Sequence, residues 1–307
     1  MPLEELLTET ERLRYEKFGT MVECCAIVNV KSGRCAMNCR FCAQSGHYRT
    51  EAAVFPLVSK ETMRDATLTR WSEGICRIGW VASGCAVTDD ECNRIADAAE
   101  STTSLQPPGA SLCTSLGQLD ATALKRLKSA GVRRYHHNLE TSEQFYPAIC
   151  TTQRWQDRRA TVERARDAGL EVCSGCLFGL GETWDDRLAL TAVLRELAVD
   201  CVPINFFNPI PGTPLGDRPS LAADEALRIV AMLRLALPEA SLRICGGRPV
   251  TLGDRQGDLF RAGADALMTG NYLTTSGMGW SDDRELLARS GMRATAGAGR
   301  CGDIVVK

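Results

Sequence analysis

Two rhythms of hydrophobic positions alternate along the chain. Short apolar runs rich in β-branched residues recur at Cys25–Val30, Cys76–Ala82, Ala110–Thr114, Arg133–Leu139, Glu171–Leu177, Cys201–Phe207, Ser241–Cys245 and Ala266–Thr269. Each is of strand length and bounded by turn-forming residues. Between them lie longer stretches with apolar residues at helical spacing: Lys60–Glu73, Asp89–Ala99, Asp120–Ala130, Arg154–Ala168, Asp185–Leu197 and Leu221–Leu237. Asp120 stands where a helix N-cap belongs, and Gly131 and Gly169 stand where C-terminal caps belong. Eight strands joined by right-handed helical crossovers close most simply into an α/β fold, a (β/α)8 TIM-type barrel. A six-strand partial barrel is the structural alternative. The opening MPLEELLTETERLRYEKFG reads as an acidic amphipathic helix in front of it. No repeat, low-complexity tract or linker interrupts the pattern. One domain is therefore expected, with a helix over 1–20, the barrel over 21–280 and a C-terminal segment over 281–307. In such a barrel the chemistry belongs on the loops after the strands' C-terminal ends.

Composition narrows the partners. Thirty-six basic residues against 38 acidic give a net charge of −2, which argues against nucleic acid or an anionic membrane surface as partner and for a small-molecule substrate. The start lacks the apolar segment of a signal peptide, and no later run approaches membrane-spanning length, so a cytoplasmic protein is expected. The anomaly is fifteen cysteines among 307 residues. A cytoplasm keeps thiols reduced, a chain of this size folds without disulfides, and an odd count does not pair completely. The thiols pose the question of what they bind.

The first strand runs directly into Lys31-Ser-Gly-Arg-Cys35-Ala-Met-Asn-Cys39-Arg-Phe41-Cys42-Ala-Gln44. Cysteines at C-x3-C-x2-C spacing let one short loop hold three corners of a [4Fe–4S] cubane and leave the fourth iron without a protein thiolate. That open iron suits the amino and carboxylate groups of S-adenosylmethionine (AdoMet), whose sulfonium then receives one electron from the cluster. A zinc site would instead show two CxxC pairs or mixed Cys/His ligands, and the nearest histidine, His47, lies five residues past Cys42.

The match continues beyond that loop: Gln44-Ser45 and Tyr48-Arg49-Thr50, His137-Asn-Leu-Glu140-Thr-Ser142, Thr151-Thr152, Val172-Cys-Ser-Gly175 and Gly179-Leu-Gly-Glu-Thr183. Pro203-Ile-Asn205, Gly212-Thr-Pro-Leu215, Arg243-Ile-Cys-Gly-Gly-Arg248 and Tyr272-Leu-Thr-Thr275 follow. Spread over nearly the whole chain, this pattern resembles the biotin synthase family of the radical AdoMet superfamily. The resemblance implies sulfur insertion into dethiobiotin through a 5′-deoxyadenosyl radical, with an auxiliary iron–sulfur cluster as the sulfur source. It also implies a flavodoxin- or ferredoxin-type reductant and a homodimer. Other radical AdoMet enzymes, such as hydrogenase maturases and amino-acid mutases, share the barrel and cluster loop and form the alternative reading. A non-catalytic iron–sulfur carrier or sensor is a third.

The resemblance assigns further residues. Phe41 packs against the adenine of AdoMet, while Ala82, Ser83, Gly84, Asn138 and Glu140 contact the cofactor. Asn138 and Asn205 surround the substrate's ureido ring, and Thr274 and Thr275 face its carboxylate tail. Cys113 and Cys173 match two ligands of the auxiliary cluster and Arg243 a third. Gly79 occupies the place of the family's remaining cysteine ligand. Cys25, a strand deeper than the cluster loop, and Cys245, which shares strand parity with Arg243, are the replacements expected. With Cys113 and Cys173 they would form an all-thiolate auxiliary site, for a cluster either of four-iron type or [2Fe–2S]. Cys24, Cys76, Cys85, Cys92, Cys150, Cys176, Cys201 and Cys301 read as structural.

Overall fold

The computed structural model describes residues 1–295, so Cys301 lies outside the described residues. The barrel is built from β1 (Met21–Lys31), β2 (Arg77–Ala82), β3 (Ser111–Ser115), β4 (Arg134–His136), β5 (Glu171–Cys173), β6 (Cys176–Phe178), β7 (Cys201–Phe206), β8 (Ser241–Ile244) and β9 (Ala266–Met268). All pairings are parallel, and β9 pairs with β1 to close the ring. A short β10 (Arg293–Ala294) adds to the start of β1. The eight-stranded α/β barrel expected from the alternating pattern is therefore present, and the partial barrel is not.

Local signals set the helix ends as chain chemistry requires. Asp120 accepts from Ala123 N at 2.8 Å, and Thr88 with Glu91 forms a reciprocal capping box ahead of the helix Asp89–Thr103. Gly131 and Gly169 adopt φ of 89° and 79°, the left-handed conformation that closes a helix C-terminus. The helices pack apolar faces on the barrel's outer wall. There Trp80 is fully buried and its indole N–H is held by Thr67 Oγ1 at 2.8 Å. Among the described residues no helix is long and apolar enough to cross a membrane.

Two strands differ from the expected runs. The fourth ends at His136 rather than Leu139, and the fifth is broken at Ser174-Gly175 into β5 and β6. Both differences have one origin. The chain after β4 turns across the barrel rim, so that Leu139 N and Glu140 N both donate to Gly175 O at 3.1 Å, and Asn138 Oδ1 accepts from Gly175 N at 3.2 Å. Gly175 can accept this crowding because it lacks a side chain. A Cβ there would stand 2.0 Å from Pro203 O.

The registers place the inward side chains in levels. Cys25 pairs with Arg77, Gly79 with Cys113, Cys113 with Arg134, His136 with Cys173, Cys173 with Cys201, Pro203 with Arg243, Arg243 with Ala266, and Met268 with Cys25. The pairing advances two residues at each of β2, β4, β7 and β9, which is the shear of an eight-stranded barrel whose layers come from alternate strands. Cys25, Cys113, Cys173 and Arg243 consequently share one level. Arg77, Arg134, Cys201 and Ala266 form the level below. Gly79, His136, Pro203 and Met268 form the level above, and Cys245 lies one level higher still.

Candidate active site

A cavity of about 380 Å³ opens at the C-terminal end of the barrel. The cluster loop forms one wall. Its neck is closed by Cys35 N to Gln44 O at 2.9 Å and Gly46 N to Cys35 O at 2.7 Å, and Ser45 Oγ donates to Met37 O at 2.7 Å. Asn38 ties the loop to the segment after β4, donating to Thr151 Oγ1 at 2.7 Å and accepting from Thr151 N at 2.9 Å. Backbone bonds thus fix the loop and leave Cys35, Cys39 and Cys42 lining the cavity with Phe41. Burial pushes the Cys42 thiol up to about 11, against an opposing hydrogen bond from the Gln44 amide, so metal binding must displace its proton.

The remaining residues expected at the cofactor and substrate also reach this cavity: Ala82, Ser83, Gly84, Asn138, Glu140, Asn205, Thr274 and Thr275. Several hold the frame as well. Ser83 Oγ donates to Gly33 O at 2.9 Å, binding the end of β2 to the cluster loop. Asn205 bridges strands, donating to Cys176 O at 3.1 Å and accepting from Gly246 N at 3.0 Å. Glu140 occupies a left-handed backbone conformation, φ 70°, unusual for a residue with a side chain.

One side chain at the cavity wall escaped the sequence reading. Arg158, on the inner face of the helix Trp155–Asp167, donates to Glu140 Oε1 at 2.9 Å and spreads over the Tyr146 ring at 5.8 Å. Its signal was available: a cation at a position where that helix otherwise turns Trp155, Val162 and Ala165 inward. The Cys150 thiol lies close behind the loop, beside that of Cys39 and 3.6 Å from Thr152 Oγ1. Lys31 and Arg248 do not face the cavity chemistry. Lys31 pairs with Glu91 at 2.7 Å, and Arg248 pairs with Asp283 at 2.7 Å in the interior. The amide nest of Gly179–Gly181 is filled by the chain's own Glu182 carboxylate, with contacts of 2.8 to 3.2 Å.

Beneath the cavity the barrel interior holds Cys25, Cys113, Cys173 and Cys201, with Cys245 above them at the cavity wall, all buried. These five stand apart from the continuous hydrophobic core, whereas Cys24, Cys92, Cys150 and Cys176 are packed into it. Cys76 is half-buried at the barrel's opposite end, with its thiol near Gly74 O. The floor under the thiols carries three buried guanidiniums, Arg77, Arg134 and Arg243, against two carboxylates. Arg77 meets Glu23 at 2.9 Å, Arg134 meets Glu171 at 2.9 Å, and Arg243 also contacts Glu23. Arg243 Nε and Arg134 Nη1 find no acceptor among the described residues. Buried N–H groups without acceptors and an excess of positive charge fit an anionic thiolate-bound cluster in this space. No three Cys, His, Asp or Glu side chains among the described residues close on the position of a single metal ion.

Fold and site together define a radical AdoMet barrel, and the family comparisons agree. Residues 29–194 match the radical SAM superfamily, and residues 203–293 match the Biotin and Thiamin Synthesis associated domain. The chain is 47% identical to the biotin synthase of Desulfovibrio desulfuricans over 292 residues, covering 95% of this chain and 92% of that protein. It is 46% identical to the biotin synthase of Pelotomaculum thermopropionicum over 286 residues, covering 93% and 88%. The chain belongs to the biotin synthase family of radical SAM enzymes. Among solved structures, methylornithine synthase shares the fold with a TM-score of 0.81 at 20% identity, covering 98% of this chain and 90% of that one. The FeFe-hydrogenase maturase of Carboxydothermus hydrogenoformans does so at 0.85 and 18%, covering 98% and 74%.

Proposed function

We infer that the chain catalyses its family's reaction, the conversion of dethiobiotin to biotin by radical insertion of sulfur. The carrying observation is vertical order: three loop thiols and the cofactor contacts line one cavity, and a second set of buried thiols lies at deeper levels of the same barrel. When bound, the [4Fe–4S] cluster with AdoMet would supply the radical that abstracts hydrogen from the substrate carbons, and an auxiliary iron–sulfur cluster would supply the sulfur atom. The protein's part is placement. Cys35, Cys39 and Cys42 hold the first cluster, and Phe41 and the small Ala82-Ser83-Gly84 turn receive AdoMet against it. Glu140, oriented by Arg158 and by Asn138 Nδ2 at 3.3 Å, offers carboxylate oxygens to the ribose hydroxyls. Asn205 has one amide N–H and lone pairs beyond its backbone bonds for the ureido group. Thr274 and Thr275 at the rim receive the carboxylate tail. Apolar walls from Ile27, Leu177 and Phe206 keep water from the radical.

In this reading the auxiliary cluster is of four-iron type and replaces the family's [2Fe–2S] centre, because Gly79 offers no thiol. Cys25, Cys113 and Cys173 hold it at the level of Arg243, with Cys245 above on the cavity side. The reading includes a cytoplasmic homodimer reduced by a flavodoxin- or ferredoxin-type donor. One anaerobic assay tests it: reconstituted protein with reductant, AdoMet and dethiobiotin, followed for 5′-deoxyadenosine and biotin. Both products are expected. Deoxyadenosine without biotin would assign the chain to a different radical reaction, and absence of both would reduce it to an iron–sulfur carrier.

A further inference from the structure

Deepening the reading that the lower chamber holds a four-iron auxiliary cluster, and resting on it, we propose that Cys201 is the fourth thiolate ligand of that cluster. The irons of a cubane lie at the corners of a tetrahedron. Three ligands at one level, here Cys25, Cys113 and Cys173, leave the fourth iron outside that level, where only a thiol from another level can reach it. Two thiols stand outside it. Cys245 lies two levels up, lines the upper cavity and turns its sulfur to its own strand, 3.6 Å from Arg243 O. Cys201 lies one level down, as the register partner of Cys173.

Strand alternation turns Cys201 inward, since Pro203 and Asn205 on the same strand line the cavity. Its side chain is fully buried beside the Cys173 thiol. Like the three cysteines above it, Cys201 is excluded from the continuous hydrophobic core. Its level is shared by Arg77 and Arg134, two buried cations beside which an anionic cluster is accommodated. On assembly the Cys201 S–H bond breaks, its proton passes to solvent, and an Fe–Sγ bond forms with no change of oxidation state. Ligation from below leaves the cluster face toward the cavity open, where the sulfur has to depart. Ligation from Cys245 would cap that face.

The test uses the full chain carrying Cys35→Ala, Cys39→Ala and Cys42→Ala, in which reconstitution with iron and sulfide fills only the lower chamber. Added Cys201→Ala is expected to lower bound iron by at least half and abolish the four-iron Mössbauer spectrum, while Cys245→Ala leaves both unchanged. Cys201→Ser, which keeps the side-chain volume, is expected to shift the doublet of one iron or to lose the cluster. Circular dichroism melting of the iron-free proteins separates ligand loss from misfolding. Parent iron content and spectrum retained in Cys201→Ala and Cys201→Ser overturn the proposal. A parent triple variant that takes up no iron instead refutes the auxiliary-cluster reading, and the ligand assignment falls with it.

Discussion

Arg158 Nη2 stands 2.9 Å from Oε1 of Glu140, and both side chains are largely buried at the wall of the upper cavity. The pair joins two parts of the chain that a sequence pattern does not connect: a strained residue at the end of the β4 segment and the second turn of a helix. Burial opposes the Arg158 charge, and the carboxylate beside it outweighs that cost, so the guanidinium stays firmly charged. Glu140 is thereby aimed into the cavity. Glu140→Gln and Arg158→Met are each expected to weaken AdoMet binding about tenfold to a hundredfold, the scale of one hydrogen bond to a charged group. Equilibrium binding to the reconstituted enzyme checks this, and unchanged affinity in both variants would remove the pair from the cofactor site.

Gly175 tests how the rim is assembled. Its missing side chain lets the backbone after β4 and the β7 backbone approach from opposite sides, and an added methyl would overlap Pro203 O. No side chain can move aside, because the obstructing atom is backbone. Gly175→Ala should destabilise the protein by at least about 3 kcal/mol, in the range of strong overpacking. Gly169→Ala, where only the end of the Lys128 side chain comes within reach but φ is positive, should cost about 1 kcal/mol. Chemical denaturation of the two iron-free variants gives the comparison, and equal costs would contradict it.

What the sequence made legible follows from which forces act locally. Strand and helix periods, caps such as Asp120 and the cluster loop depend on neighbours in the chain, and they stand where the pattern put them. The break at Gly175 depends on Pro203, 28 positions away, and no local signal marks it. Parity along a strand correctly turned Cys245 inward with Arg243 but could not give its height, because height depends on the shear of the whole barrel. The same limit hid Cys201. Read alone it is a buried small residue, and only its register with Cys173 brings it to the other thiols. Lys31 likewise owes its place to a distant partner: it adjoins the cluster loop in the chain, and its ammonium pairs with Glu91 on a neighbouring helix.

The Lys31–Glu91 pair has a pH signature. Burial raises the Glu91 carboxyl, but the Lys31 ammonium and the Thr88 amide outweigh it and hold the group below its usual value. The folded pKa lies below the unfolded one. The stabilisation is therefore complete above about pH 4.5, the unfolded value, and is lost as pH falls through the folded value. Glu91→Gln should lower the melting temperature at pH 7 by about 2–4 °C, corresponding to about 1 kcal/mol, and the difference should close at lower pH as Glu91 protonates. Thermal melts of both proteins across pH 3 to 7 measure it. A gap that persists undiminished at the acid end would show that packing, not charge, links the two residues.

The proposed exchange of Gly79 for Cys25 as a thiol position can be tested by reversing it. The two sites lie on adjacent strands, with Cys25 at the level of Cys113 and Gly79 one level above, as the register partner of Cys113. A Cβ built on Gly79 meets nothing closer than Ile27 Cγ2 at 3.7 Å, which is ordinary contact, so a cysteine fits without moving the backbone. Cys25→Ser should deprive the lower chamber of iron and abolish biotin formation while leaving reductive cleavage of AdoMet at the upper cluster intact. Cys25→Ser combined with Gly79→Cys should restore iron to the chamber, because the new thiol reaches the same space from the neighbouring strand. The Mössbauer spectrum of the double variant then reports which cluster the relocated ligand supports. Iron restored with a [2Fe–2S] spectrum would show that the position of this single thiol selects cluster type. No restoration would mean that the floor charges and Cys201 have adapted the chamber to a ligand at Cys25 alone.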